Sequence, residues 1–358
     1  MRRKFEVFIV RSGLLGDTLV AIPSIRAIRA AYPQARITYV GERVPGTNYV
    51  QAADVLDGTE LVDAYVYFYT GGFHWKGFVS LFGLVFYTLK CRPAKVFVLE
   101  APGRYTRKSW FFRLLGRHVL ASPPVKRSQA VNCLRIVHNE PSISQQLLSL
   151  VHSFGIETSA ISNQPWRLSP TPQSAERINK WLHEKGIDLC KDRLIALGVW
   201  SNMPAKRWPI ERYAEVIRQL LSEQSDLIPV ILGGREEQAY GHELVKQWGK
   251  GLVAAGYFSI GESASLLAHS QLYIGNDTGT MHLAAAVGIP CVAIFSARDQ
   301  PGKWHPTGAN THIVLRKNVP CAGCLLRECH VQQLRCLKDI AVSDVIEAVH
   351  KIFAHSHA

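Results

Sequence analysis

Short apolar runs alternate with longer amphipathic stretches along this chain, a pattern that predicts strands followed by helices. Phe5 to Val10 reads as a first strand, Arg11 to Gly16 as a glycine-containing loop, and Asp17 to Ala31 as a helix with Leu19, Ile22, Ile25 and Ile28 on its buried side. Ile37 to Val40, Tyr65 to Tyr69 and Lys95 to Leu99 continue the series, the last two rich in aromatic and β-branched residues. Between Asn163 and Gln173, three prolines (Pro165, Pro170, Pro172) break the pattern and predict a boundary between domains spanning 1–168 and 169–358. Ser174 to Lys185 then reads as a helix leading into further strands at Leu194 to Val199, Leu227 to Leu232, Leu272 to Ile274 and Cys291 to Phe295. The fold class expected is α/β, with two Rossmann-like domains facing a central cleft.

The stretch from Gly275 to Pro290 packs a strand end, a turn and a helix into one unit. Asp277 or Thr278 can cap the helix, Ala284 to Ala286 favour it, and Gly288 with Pro290 ends it. Gly279 allows close backbone approach, and the helix start, with its free amides and the positive end of its dipole, suits a phosphate or diphosphate. An ordinary capped helix carries the same pattern. Asp17, beside Gly13 and Gly16, opens another strand-turn-helix unit. A carboxylate there stabilises the helix start, and it also faces the ligand side of an open sheet, where it can act as a general base. Ser201, Asn202 and Lys206 follow a strand end; Lys206 can neutralise a diphosphate or sit solvated before a packed Trp208. Glu236 and Glu237 lie in the turn after Leu227 to Leu232, where a glutamate can accept sugar or ribose hydroxyls, although a plain surface turn has the same composition. His282, four residues after Thr278, lies on the same helix and belongs with a ligand-binding set rather than serving as a base.

Composition narrows the class. With 358 residues, 47% of them hydrophobic and 19% charged, the chain is long enough for two ordinary cores and is not disordered. Lys and Arg outnumber Asp and Glu by 41 to 28, a formal charge of +13 that favours anionic partners. No nucleic-acid-binding motif accompanies that charge, so nucleic acid is not an expected partner. Met1 to Lys4 is basic, but the apolar run behind it is too short and interrupted for a signal peptide, which predicts a cytoplasmic location. Gly77 to Leu89, flanked by Lys76 and by Lys90-Cys91-Arg92, falls short of the ~20 residues that span a bilayer. It reads either as a core helix or as one lying on a membrane surface, and both hold if one face is exposed. Arg104 to Arg117, with Trp110, Phe111 and Phe112, suits a glycan phosphate, lipid head groups or a solvated helix face. Of eight cysteines, Cys91, Cys133, Cys190 and Cys291 are scattered, as ordinary reduced thiols are. Cys321, Cys324, Cys329 and Cys336 cluster closely enough for structural zinc or an iron-sulfur centre, or for a reduced cluster or a disulfide.

Asp277-Thr278-Gly279 with Met281 to Ala286 and Gly288-x-Pro290, preceded by Gly16-Asp17 and Pro23 and by Lys206-x-Trp208-Pro209, closely resembles glycosyltransferase family 9, the lipopolysaccharide heptosyltransferases. The resemblance covers almost the whole chain in the right order, and the late cysteines and the helix from Val342 to Phe353 are shared with many members. It implies a GT-B fold and inverting transfer, with no cofactor required for catalysis, from a nucleotide-diphosphate sugar, ADP-heptose being favoured. The implied acceptor is a lipid-linked anionic glycan at the inner face of the cytoplasmic membrane. By the same resemblance Asp17 is the general base, Lys206 and the amides of Thr278, Gly279 and Thr280 stabilise the leaving diphosphate, Asp277 holds sugar hydroxyls, and Ser201 and Asn202 contact phosphate. Trp200 to Ala205 and Ser296 to Asp299 depart from the commonest heptosyltransferase pattern and leave the donor sugar open. A sugar-nucleotide epimerase on a related scaffold and a non-catalytic glycan- or nucleotide-binding protein are the alternatives.

Overall fold

The computed structural model describes residues 5–43, 50–69, 75–100, 107–122, 141–162, 168–307 and 312–356. The expectations placed on Met1 to Lys4, Arg104, Cys133 and Pro165 lie outside these residues. Among those described, the chain forms two compact units, one up to residue 162 and one from 168 onward.

The first unit runs β1 (Glu6–Val10), α1 (Leu15–Ala31), β2 (Arg36–Arg43), α2 (Ala52–Leu56), β3 (Ala64–Tyr69), α3 (Trp75–Cys91), β4 (Lys95–Val98), α4 (Arg107–Leu114), β5 (Val119–Ala121), α5 (Ile143–Ser153) and α6 (Ser159–Ser162). Its strands form one parallel sheet in the order β3-β2-β1-β4-β5. β1 is central, so both of its faces are covered; this is why Val7 to Val10 is an unbroken apolar run. Helix α1 packs with α5. Leu84 of α3 and Phe112 of α4 join Phe8, Val10, Val40, Val96 and Val98 in a single cluster, which sets α3 and α4 side by side on one face of the sheet.

The second unit runs α7 (Pro172–Glu184), β6 (Arg193–Gly198), α8 (Ile210–Glu223), β7 (Leu227–Ile231), α9 (Gln238–Trp248), β8 (Leu252–Val253), α10 (Ile260–Ala268), β9 (Ser270–Asn276), α11 (Gly279–Val287), β10 (Cys291–Phe295), β11 (Ile313–Arg316), α12 (Arg335–Lys338) and α13 (Val342–Ser356). Its six parallel strands are ordered β11-β10-β9-β6-β7-β8, the doubly wound order in which chain direction across the sheet reverses between β6 and β9. Leu197, Ile274 and Ile294 from the sheet, Trp208 and Tyr213 before and within α8, and Val345, Val349 and Phe353 of α13 share one core. The α/β class with two Rossmann-like domains is therefore the one present.

Gly198 and Gly275 face each other where β6 and β9 pair, and the buried Tyr273 ring leans across them. A Cβ on Gly198 would lie 1.8 Å from the Tyr273 hydroxyl oxygen, and the enclosed ring has little room to yield. Gly198→Ala is expected to lower unfolding free energy by about 1–3 kcal/mol through overpacking. Urea denaturation at constant m-value checks this, and an unchanged midpoint would refute it.

Candidate active site

In the second unit, the loops leaving β6 and β9 diverge at the strand reversal, the place where open α/β sheets hold ligands. Residues 199–209 and Asp277-Thr278 meet there. Lys206 ends a 3-10 turn, Pro204–Lys206, whose Ala205 N–H donates to the Arg327 carbonyl at 3.1 Å. Its Nζ lies 2.5 Å from Asp277 Oδ2, and the side chains are 15% and 6% exposed. So little exposure means that each charge depends on the other.

Asn276, fully buried, braces this pair. Its amide donates to the Val199 carbonyl at 3.0 Å, while Oδ1 accepts from the Trp208 backbone N–H and the Tyr213 hydroxyl, both at 3.0 Å. Burial raises the Tyr213 phenol well above its ordinary pKa, so it stays a donor. One amide thus ties the end of β9 to both ends of the Lys206 loop.

Thr278 occupies the N-cap of α11 but makes no side-chain capping bond, and Asp277 turns to Lys206 instead. Of the two residues expected at the cap, Thr278 is therefore the one that occupies it, through its backbone carbonyl rather than its side chain. Thr278 Oγ1 lies 2.9 Å from Thr280 Oγ1, which is 2.8 Å from the Tyr273 hydroxyl. The first-turn amides of a helix have no intrahelical acceptors, and here they follow Asp277, which holds the half-buried Lys206 cation, a setting for an anionic ligand. His282 is buried, with Nε2 3.9 Å from Asp277 Oδ1 and its ring edge-on to Trp304.

Ser201 is buried and Asn202 exposed. The Ser201 carbonyl accepts from Arg207 Nε at 2.7 Å, and the Arg207 guanidinium sits 3.8 Å from the centre of the Trp200 ring, itself stacked on Tyr240. After β7, the turn Arg235–Glu237 separates the two glutamates: Glu236 is exposed, and Glu237 folds back against Gly233. Burial raises the Glu237 carboxyl to about 7, with Glu236 adding to the shift and the Gly234 backbone bond and Arg207 opposing it.

The folded state therefore holds this proton more tightly than the unfolded chain does. Its stabilising contribution is complete below the ordinary value of 4.5 and is lost as pH rises through about 7. Glu237→Gln is expected to be more stable than the parent at pH 8, by about 2 kcal/mol after allowing for partial exposure, and to flatten the decline. Thermal melts across pH 5 to 8 decide the point; parallel curves for the two proteins would refute it.

In the first unit, Asp17 is the third residue of α1, not its N-cap. Its Oδ2 accepts from the Leu14 N–H at 3.0 Å. Gly13 has φ +138, and a Cβ there would lie 2.3 Å from Asp17 Cβ, so the turn requires glycine. Gly16 lies in the first turn of α1. Arg11, almost wholly buried, donates to the carbonyls of Asp17 (2.6 Å) and Leu99 (2.5 Å) and lies 3.7 Å from Asp17 Oδ1. Beside it, Lys108 contacts the Ser12 hydroxyl and lies 2.8 Å from both Glu100 and Glu42. Sequence reasoning missed Arg11, Glu100 and Lys108. A charged residue directly after an apolar strand, as Arg11 follows Val10, was the available signal.

Cys321, Cys324, Cys329 and Cys336 line one pocket together with Arg298 and Leu334. The thiols face different partners. Burial raises Cys336, against a backbone bond at Ala297, whereas for Cys329 the backbone N–H groups of Leu334, Gln332 and Val331 outweigh burial and lower it. Among the described residues, no three His, Cys, Asp or Glu side chains are arranged to hold a metal ion.

In this doubly wound sheet the lysine-carboxylate pair and the helix start stand at the strand reversal, where open α/β sheets hold ligands. The model of the family described as glycosyltransferase family 9 (heptosyltransferase) matches residues 148–335, over half of the chain, and the chain belongs to that family. Lipooligosaccharide heptosyltransferase 2 of Campylobacter jejuni is 29% identical over 159 residues, which cover 43% of this chain and 48% of that protein. The aligned region thus spans about half the length of that curated relative. Among solved structures, a glycosyl transferase family 9 protein of Veillonella parvula superposes with a TM-score of 0.76 at 20% identity, over 99% of both chains. The E. coli ADP-heptose lps heptosyltransferase II gives 0.72 at 21% identity, over 99% of this chain and 100% of the other.

Proposed function

We propose that this chain is an inverting glycosyltransferase that moves a sugar, heptose being favoured, from a nucleotide-diphosphate donor to a lipopolysaccharide core or related glycan. The observation that carries this reading is the Lys206-Asp277 pair at 2.5 Å beside the first turn of α11. A cation held in a low-exposure site next to helix amides is preorganised for charge that grows on a leaving diphosphate. In the reaction, the acceptor hydroxyl oxygen attacks the anomeric carbon from the side opposite the diphosphate. Its proton passes to Asp17, and the electrons of the breaking carbon-oxygen bond leave with the diphosphate. Lys206 and the amides of Thr278, Gly279 and Thr280 receive that charge. Asp277, positioned by Lys206 with His282 nearby, accepts from donor-sugar hydroxyls, Ser201 and Asn202 contact phosphate, and Glu237 accepts from a ribose hydroxyl.

ADP is the nucleotide this reading favours, on the strength of the E. coli relative's description as an ADP-heptose enzyme. A lipid-linked anionic acceptor at the inner face of the cytoplasmic membrane agrees with the charge of +13. Nucleotide sugars tested with a lipid-glycan extract, with nucleoside diphosphate release as readout and a chelator present, examine the whole reading. Acceptor-dependent ADP release in the chelator is the expected result. Release from another donor would change the substrate; release without an acceptor, or only with a divalent cation, would overturn the mechanism.

A further inference from the structure

Helix α3 carries apolar side chains on two opposite faces. Leu84, Thr88 and Cys91 turn toward the sheet, Leu84 and Thr88 buried. On the opposite side Trp75, Val79, Phe82, Phe86 and Leu89, spaced i, i+4, i+7, i+11 and i+14, form a second stripe. Trp75 is 81% exposed, Phe82 72% and Phe86 70%. Its neighbour α4 repeats the pattern at shorter length: Phe112 is buried in the cluster it shares with Leu84, while Trp110 and Leu114 are 58% and 64% exposed. A core needs only the inner stripe, so the outer one calls for a surface to cover it.

Charge identifies that surface. Residues 75–99 and 107–122 contain no Asp or Glu, while Lys90, Arg92, Arg113 and Arg117 fall among or beside the aromatics. Arg92 and Arg113 are exposed. Apolar side chains ringed by cations and free of carboxylates complement an anionic lipid surface, with tryptophans at the level of the head groups. No helix among the described residues is long and apolar enough to cross a bilayer, so α3 can lie along the surface but not through it. We propose that the outer faces of α3 and α4 dock the first unit on an anionic phospholipid bilayer. This rests on the reading of a membrane-borne acceptor, for which it supplies the contact surface.

The test is sedimentation of the full chain with vesicles that lack donor and acceptor. Vesicles rich in phosphatidylglycerol are expected to bind it, and pure phosphatidylcholine to bind it much less. Phe82→Glu/Phe86→Glu is expected to lower partitioning by about a hundredfold or more, since each aromatic contributes about 1.5–3 kcal/mol when buried. Arg92→Glu/Arg113→Glu should reduce binding to anionic vesicles only, and unchanged melting would show that both variants remain folded. Equal binding of parent and Phe82→Glu/Phe86→Glu chains, or no binding by the parent, would overturn the proposal. So would light scattering that shows a dimer dissolved by the same substitutions, since the patch would then cover a second copy. Because no transfer is measured, failure here leaves the glycosyltransferase reading intact, and failed transfer leaves vesicle binding to be judged alone.

Discussion

Asp17→Asn is expected to lower the turnover number about 10²- to 10⁴-fold, the range of a lost general base, while the donor KM stays near its parent value. The substitution keeps an oxygen in place to accept the Leu14 N–H, so the start of α1 survives. It removes one negative charge from the first turn, about 0.3–1 kcal/mol, and the ion-pair partner 3.7 Å from the buried Arg11, so urea denaturation accompanies the kinetics. Arg11 keeps its bonds to the carbonyls of Asp17 and Leu99, since neither uses the carboxylate. A fall in rate in a protein of parental stability therefore reports chemistry. Unimpaired transfer would move the base elsewhere and leave the family assignment untouched.

Lys206→Met should produce the other large effect, with two separable parts. Transfer is expected to fall about 10²- to 10³-fold, because the diphosphate loses its preorganised cation. Stability is expected to fall by about 3–5 kcal/mol, because Asp277 remains buried with its charge uncompensated. Adding Asp277→Asn removes that charge, so the double variant should regain most of the stability and none of the activity. Steady-state kinetics and urea denaturation on the three proteins separate the roles. If Lys206→Met alone is as stable and as active as the parent, the 2.5 Å pair is an incidental contact and the site lies elsewhere.

Much of this site was readable along the chain, because it sits where local pattern is strongest. Apolar runs marked the long strands, and Asp17, Lys206 and Asp277 each follow one of them through a short turn. Structure hidden from the sequence depends on distant partners. Arg11 reads as a surface cation until Leu99, 88 residues away, supplies its acceptor, and Lys108 meets Ser12 from 96 residues away. Asn276 looks like the polar end of a strand, and only folding brings it Val199, Trp208 and Tyr213. Glu236 and Glu237 are indistinguishable as neighbours, yet a single turn places one in solvent and the other against Gly233. The short strands β5, β8 and β11 escaped notice, since two to four residues carry no period. Helix α3 was ambiguous because one of its faces is buried in the core and the other is exposed.

Trp208, two residues after Lys206, donates its indole N–H to the Ile340 carbonyl at 3.1 Å and shares a core with Val345, Val349 and Phe353 of α13. During synthesis, a nascent chain stalled before Ile340 already carries Asp17, Lys206 and the whole Gly275 to Pro290 motif, but lacks the carbonyl that takes the Trp208 indole N–H and the α13 side chains that close its core. Domains complete folding as units. The first unit can therefore mature on the ribosome while the second waits for the last helix that closes its core.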